Sequence, residues 1–249
     1  MEELGRYQSR LAQHALAAHA AQAEARTIAL HAAALLIDVR GYTDVVHDAA
    51  VSGLERIEDL GTSLNAFFSG LIEAVAREGG DVIGFAGDSM LALFPAAHPE
   101  QLPHAARRAA AAALAVRGAQ VVTSSPEAQV RTYAQSRISL ACGPAWSIAF
   151  GRAGRTQHVL AAGVVLARVA ACDRVGTPGM VAVHPSICEA LAGAGLLAPI
   201  VGVDPNLAQE LRSLTQGSDA SEPLSAPDLD DLLLLGSLPA AITDRKSVV

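Results

Sequence analysis

Leu35-Leu36-Ile37-Asp38-Val39-Arg40-Gly41-Tyr42-Thr43 and, further along, Asp81-Val82-Ile83-Gly84-Phe85-Ala86-Gly87-Asp88-Ser89-Met90-Leu91-Ala92-Leu93-Phe94 decide the reading of this chain. In each, an apolar run with strand character carries an aspartate at its tip. Residues 31–38 read as a buried strand. The runs 82–85 and 90–94, joined across Gly87-Asp88, read as a tight hairpin with Asp88 at its turn. Two carboxylates gathered at the edge of one sheet make a hard, oxygen-rich site suited to Mg²⁺ or Mn²⁺ and to the phosphates such ions carry. The chemistry this points to is that of nucleotides.

Outward from these stretches, residues 52–78 predict a long amphipathic helix with Leu54, Ile57, Leu60, Leu64, Phe67, Phe68, Leu71, Ile72 and Val75 on one side, stopped by Gly79-Gly80. An Ala-rich helix opened by Pro103 is expected over 103–118. Strands follow at 137–143 and 146–150, then a strand at 157–161, a helix at 164–173, a strand at 179–183 and a short helix at 185–192. The order is β-α-β-β-α-β. The fold class is therefore α+β, a ferredoxin-like palm whose antiparallel sheet is backed by helices on one face, with extra C-terminal strands. Residues 1–29 are expected as a helical lead-in, 30–197 as the main domain, and 198–249 as a flexible acidic tail marked by Pro205, Gly217, Pro223, Pro227 and Asp228–Asp231. The last six residues, Asp244–Val249, match the translation of a common sequencing-library adapter, so the end is expected to be artificial and the protein to continue beyond it.

Composition narrows the function classes. The chain has 249 residues, 51% of them hydrophobic, with a net charge of -7 and a pI near 5.6. One principal domain is the default at this length, and the charge gives no basic stripe for nucleic acid. Cys142, Cys172 and Cys188 are odd in number and form no C-x-x-C pair, which supports neither a disulfide framework nor a zinc site. No apolar run reaches the length of a membrane span, and Glu2, Glu3, Arg6 and Arg10 precede any apolar block, unlike a signal peptide. The expectation is a cytoplasmic protein. His47, His158 and His184 lack metal-ligand spacing, and Trp146 fits core or interface packing.

Taken singly, an aspartate after a strand is an ordinary turn or N-cap residue, and a Gly-Asp turn is ordinary hairpin chemistry. The combination carries more. Ile37–Thr43, Leu64-Asn65-Ala66-Phe67-Phe68, Gly79–Val82, Phe85–Asp88 and Leu91–Phe94, followed in order by Ile138–Gly143, Phe150-Gly151, Ala162-Gly163 and Gly179–Val183, resemble the catalytic domain of class III nucleotidyl cyclases. Within that family the nearer resemblance is to the first cyclase domain of soluble adenylyl cyclase. It covers roughly residues 30–195.

The resemblance implies that Asp38 and Asp88, assisted by the Val39 carbonyl, hold two divalent ions, and that Gly41, Tyr42 and Thr43 form the turn that cradles the triphosphate of ATP. It implies attack of the ribose 3′-oxygen on the α-phosphorus. Four positions depart from the family. The base-binding lysine is replaced by Gly84, the base-selecting polar residue by Leu160, and the transition-state asparagine and arginine by Ala167 and Ala171. Arg168, close to the lost arginine, reads as a helix-surface residue. In the family an active site lies between two cyclase domains, and this chain resembles the half that gives the metals, so a complementary cyclase domain is implied as partner. Three readings stay open: that metal-giving half, a degenerate domain acting as a nucleotide- or bicarbonate-responsive regulator, and another metal-dependent palm-like enzyme. The Gly-Tyr-Thr turn and the later Gly-rich strands speak against the third.

Overall fold

The computed structural model describes residues 9–11, 26–124, 131–151 and 157–214. The first strand, β1 (Arg26–Arg40), is apolar from Ile28 to Ile37 at every position but His31 rather than at alternate ones, the pattern of a strand covered on both faces. Ala33, Leu35, Ile37 and Val39 join one core cluster; Leu30, Ala32 and Ala34 join a second on the opposite face. Next come α1 (Tyr42–Ser52) and α2 (Leu54–Arg77), separated by Gly53 at φ 109, a backbone angle that side-chain-bearing residues rarely adopt. The single helix expected over 52–78 is thus the second of a pair. Leu60, Phe67, Leu71 and Val75 of the expected apolar face are buried, whereas Leu54, Ile57 and Ile72 are exposed.

The hairpin of β2 (Asp81–Ala86) and β3 (Ser89–Ala96) leads through a short 3₁₀ turn at Pro99–Gln101 into α3 (Leu102–Val116). Six alanines of α3, Ala105, Ala106, Ala109, Ala110, Ala112 and Ala113, are fully buried. Side chains this small let a helix approach a sheet closely, which explains the alanine excess better than low complexity does. After β4 (Gln120–Ser124) runs β5 (Arg131–Gly151), then β6 (Gln157–Ala162), α4 (Val164–Val175), β7 (Val181–Val183), α5 (Pro185–Leu191), β8 (Gly195–Pro199) and β9 (Gln209–Leu214).

The nine described strands form one sheet in the order β2-β3-β1-β5-β7-β9-β8, with β4 and β6 also pairing to β5. Its β2-β3-β1-β5 core is the ferredoxin-like arrangement, and β5–β7 is the single parallel pair among the described strands. Residues 137–143 and 146–150 are parts of one strand: β5 pairs with β1 without a break from Arg26↔Ala149 to Arg40↔Gln135. Pro144 interrupts nothing on the other side, because it falls between the partners Leu140↔Val183 and Trp146↔Ala162.

Helices cover both faces of the sheet, not one. Val165 and Val169 of α4 pack with Leu30, Ala32, Ala34 and Leu93, away from α2 and α3. Beside them lies Leu11, 4% exposed, whose backbone N–H donates to Asp81 Oδ2 at 2.7 Å while that of Arg10 donates to Oδ1 at 3.0 Å. A carboxylate at the foot of β2 thereby fixes the N-terminal segment on the second face. The rest of the expected lead-in, 1–8 and 12–25, lies outside the described residues, as does 215–249. The sheet extends past the expected boundary at 197, because Leu211 of β9 is fully buried and joins the main core. No described helix is long and apolar enough to cross a membrane.

Candidate active site

Asp38 lies near the end of β1 in the even-numbered series, on the face that α4 covers, and its partner on β3 is Ser89, the first residue after the Gly87-Asp88 turn. Strand register therefore does what the sequence spacing only suggested. Asp38 and Asp88 line one cleft of about 380 Å³, together with Val39, Arg40, Gly41, Thr43, Asp44 and Arg137. Ser89 Oγ donates to Asp38 Oδ1 at 2.7 Å and holds the carboxylate toward the hairpin.

Gly41 gives the cleft its second wall. At φ 85 it turns the chain from β1 straight into α1, whose first residue is Tyr42. Gly41 makes no side-chain cap at that helix end, and Gly41, Thr43 and Asp44 line the cleft, so the first turn of α1 opens on the same space as the two aspartates. Carboxylates on one side and a helix N-terminus on the other suit a ligand that is itself a chain of anions and cations.

Two arginines sit on Asp38. Arg137, directly opposite it in the β1–β5 ladder, places Nη2 2.9 Å from Asp38 Oδ2, and Arg40 Nε is 3.1 Å from the same oxygen. The same Arg137 nitrogen also donates to Oδ2 of Asp173 on α4. Burial pushes the Asp173 carboxyl up, Arg137 opposes that shift, and the charge of Asp38 adds to it. Arg137, Arg40, Asp44, Ser89 and Asp173 were missed as site residues in the sequence. Arg137 left one signal, a lone charge at the head of the apolar run 138–142.

The donor set fits divalent ions. Asp38 and Asp88 offer carboxylate oxygens of the hard kind such ions take, and the pairing of Asp38 with two guanidinium groups shows that the spot takes up positive charge. Among the described residues no group of three or more His, Cys, Asp or Glu could hold a metal ion. One or two carboxylates, with phosphate oxygens completing the sphere, is the usual arrangement for Mg²⁺ with nucleotides.

None of Gly84, Leu160, Ala167 and Ala171 lines this cleft. Gly84 has open space where a side chain would stand, and Leu160 is 54% exposed. Arg168 is not the surface residue expected: its Nη1 donates to the Cys142 carbonyl at 2.7 Å, so it ties α4 to the sheet. His184 caps α5 through its ring Nδ1, which accepts from the Ser186 N–H, and burial lowers its pKa. Cys142 and Cys172 are free thiols pushed up to about 12 by burial.

The cleft and sheet order can be compared with solved proteins. The adenylyl cyclase CyaB from P. aeruginosa superposes with a TM-score of 0.58 at 15% identity, over 80% of this chain and 99% of that one. The fold is that of a nucleotidyl cyclase catalytic domain. Guanylyl cyclases match this cyclase fold as well. The guanylate cyclase domain of RhGC from Catenaria anguillulae in complex with GTP gives 0.57 at 15% identity, over 78% of this chain and all of that one. The catalytic core of a rhodopsin-guanylyl cyclase with converted specificity, in complex with ATPαS, gives 0.56 at 17% identity over 78% and 99%. No protein-family model and no curated protein sequence matches the chain.

Proposed function

We propose that this chain is the metal-bearing half of an adenylyl cyclase, forming 3′,5′-cyclic AMP and pyrophosphate from ATP at an interface with a complementary cyclase domain. The observation that carries the proposal is the convergence of Asp38, Asp88 and the N-terminus of α1 on one cleft, in a fold that solved domains use with ATPαS or GTP. In this reading Asp38, Asp88 and the Val39 carbonyl hold two divalent ions, Mg²⁺ or Mn²⁺. When bound, such ions lower the pKa of the attacking hydroxyl and neutralise charge on the triphosphate. Gly41, Tyr42 and Thr43 receive the β- and γ-phosphates on main-chain N–H groups, and Arg137 and Arg40 add positive charge beside them. The 3′-oxygen bonds to the α-phosphorus, the bond to the bridging oxygen breaks, and pyrophosphate leaves.

ATP is assigned over GTP on the resemblance to soluble adenylyl cyclase. The base contacts would come from the partner, because Gly84 and Leu160 offer none. The same four departures favour a second reading, a regulatory domain that binds nucleotide without turnover.

Cyclic nucleotide formation from ATP and from GTP, with Mn²⁺ or Mg²⁺, tests these readings. The chain is assayed alone and mixed with a separately expressed second cyclase domain of the soluble type, with Asp88→Ala as control. Cyclic AMP from the mixture only, abolished by the substitution, supports the metal-bearing half. Cyclic GMP instead replaces the substrate. Metal-dependent nucleotide binding without product moves the function to regulation.

A further inference from the structure

The guanidinium of Arg137 is under-used for its position. Its side chain is 8% exposed, and a single nitrogen, Nη2, serves both Asp38 Oδ2 and Asp173 Oδ2. Meanwhile Arg137 Nε and Asp173 Oδ1 are both buried and neither has a hydrogen-bond partner. A donor and an acceptor left unpaired on two oppositely charged neighbours are costly where they stand. They are also the two atoms that a side-on, bidentate Arg–Asp pair would add to the contact already present. The observed pose is a compromise in which Asp173 gives up its second bond so that Asp38 keeps a cation.

The stem of Arg137 is confined. A Cβ at Gly176 would stand 3.3 Å from Arg137 Cγ, so the chain just after α4 lies against the aliphatic part and leaves the guanidinium as the end able to pivot. We propose that Arg137 occupies Asp38 as a resident cation that an incoming divalent ion displaces, and that Asp173 is a positioning residue which takes the displaced guanidinium into the bidentate pair. This rests on the assignment of Asp38 as a metal ligand. It goes beyond that assignment by giving metal entry a defined competitor and a defined acceptor. Without Asp173 the displaced arginine would be a buried, uncompensated charge beside the ion.

Binding of Mn²⁺ alone, without nucleotide, measures the exchange on the full chain through the free-Mn²⁺ spectrum. Arg137→Gln removes the competitor and should tighten Mn²⁺ by about fivefold, the scale of coupling between residues in one charged network. Asp173→Asn removes the acceptor and should weaken Mn²⁺ by about fivefold, with Asp173→Glu restoring most of the loss. Simple through-space attraction between Asp173 and the ion would also weaken binding, so the double variant decides. In the Arg137→Gln background, Asp173→Asn should change the affinity less than twofold. An undiminished effect there overturns the proposal, as does unchanged or weaker binding in Arg137→Gln alone, which stands as the test should Asp173→Asn fail to fold. Mn²⁺ binding that needs Asp38 and Asp88 but ignores Arg137 overturns the exchange and leaves the metal site intact. No Mn²⁺ binding by the unaltered chain overturns both.

Discussion

Arg137 faces Asp38 across the β1–β5 ladder, and its Nη2 lies 2.9 Å from Asp38 Oδ2 while reaching on to Asp173. The floor of the cleft is thereby tied to α4 on the second face of the sheet, whereas Asp88, in the hairpin turn, has no such tie among the described contacts. The two aspartates should therefore separate stability from activity.

Asp88→Ala is expected to abolish metal-dependent product formation with a change in unfolding free energy within about 0.5 kcal/mol, as for a turn residue outside the core. Asp38→Ala should abolish activity and also cost about 1–3 kcal/mol, because it strips a charge-assisted partner from a buried arginine. Urea unfolding beside the cyclase assay distinguishes the pair; equal stability losses would contradict the geometry.

Gly163 precedes α4 at φ 126, and a Cβ there would stand 2.6 Å from the Pro144 carbonyl oxygen and 2.9 Å from Ala145 Cα. Gly163→Ala should destabilise the chain by about 1–3 kcal/mol, since backbone atoms cannot step aside. A Cβ at Gly84 meets nothing within 4 Å. Gly84→Ala should stay within about 0.5 kcal/mol, and denaturant midpoints of the two variants should differ clearly.

The Asp81 carboxyl is raised above its ordinary value by burial, against the pull of the Leu11 and Arg10 backbone donors. The folded chain thus binds this proton more tightly than the unfolded chain, and ionised Asp81 opposes folding at neutral pH. As pH falls through the raised value toward 3.8, the unaltered chain should gain stability relative to Asp81→Asn. Unfolding curves for both across that window check the sign; a gap that shrinks on acidification would refute it.

Cys142 and Cys172, pushed up to about 12, stay protonated through the neutral range, and burial raises Cys188 as well. A disulfide reagent near pH 8 should label the native chain slowly and all three thiols on unfolding. Rapid labelling of the native chain would mean that α4 or α5 opens readily.

Gly84→Lys, Leu160→Asp, Ala167→Asn and Ala171→Arg in one copy should supply the missing half-site. Mixed with the unaltered chain, that copy is expected to yield product where neither does alone. A silent mixture of folded proteins would count against the metal-bearing half as the function.

The β-α-β-β-α-β order, the hairpin at Gly87-Asp88 and the aspartate at the end of β1 were legible in the sequence because each rests on local signals: apolar runs, turn residues and helix stops. The separate helix α1 before Gly53 and the strand β9 at Gln209–Leu214 were not. Tyr42–Ser52 has a weaker apolar face than Leu54–Arg77, and the half-polar run Gln209–Leu214 becomes a strand only because β7 and β8 are there to pair with it.

By itself the sequence determined which residues could form strands and helices and which carboxylates could serve a cation, since composition, periodicity and turn chemistry are properties of neighbours along the chain. Tertiary structure alone decided that Arg137 and Asp173, remote from Asp38 in sequence, share its charge. Strand register sets which side chains meet across a ladder, and a shift of one residue would have turned Arg137 to the opposite face.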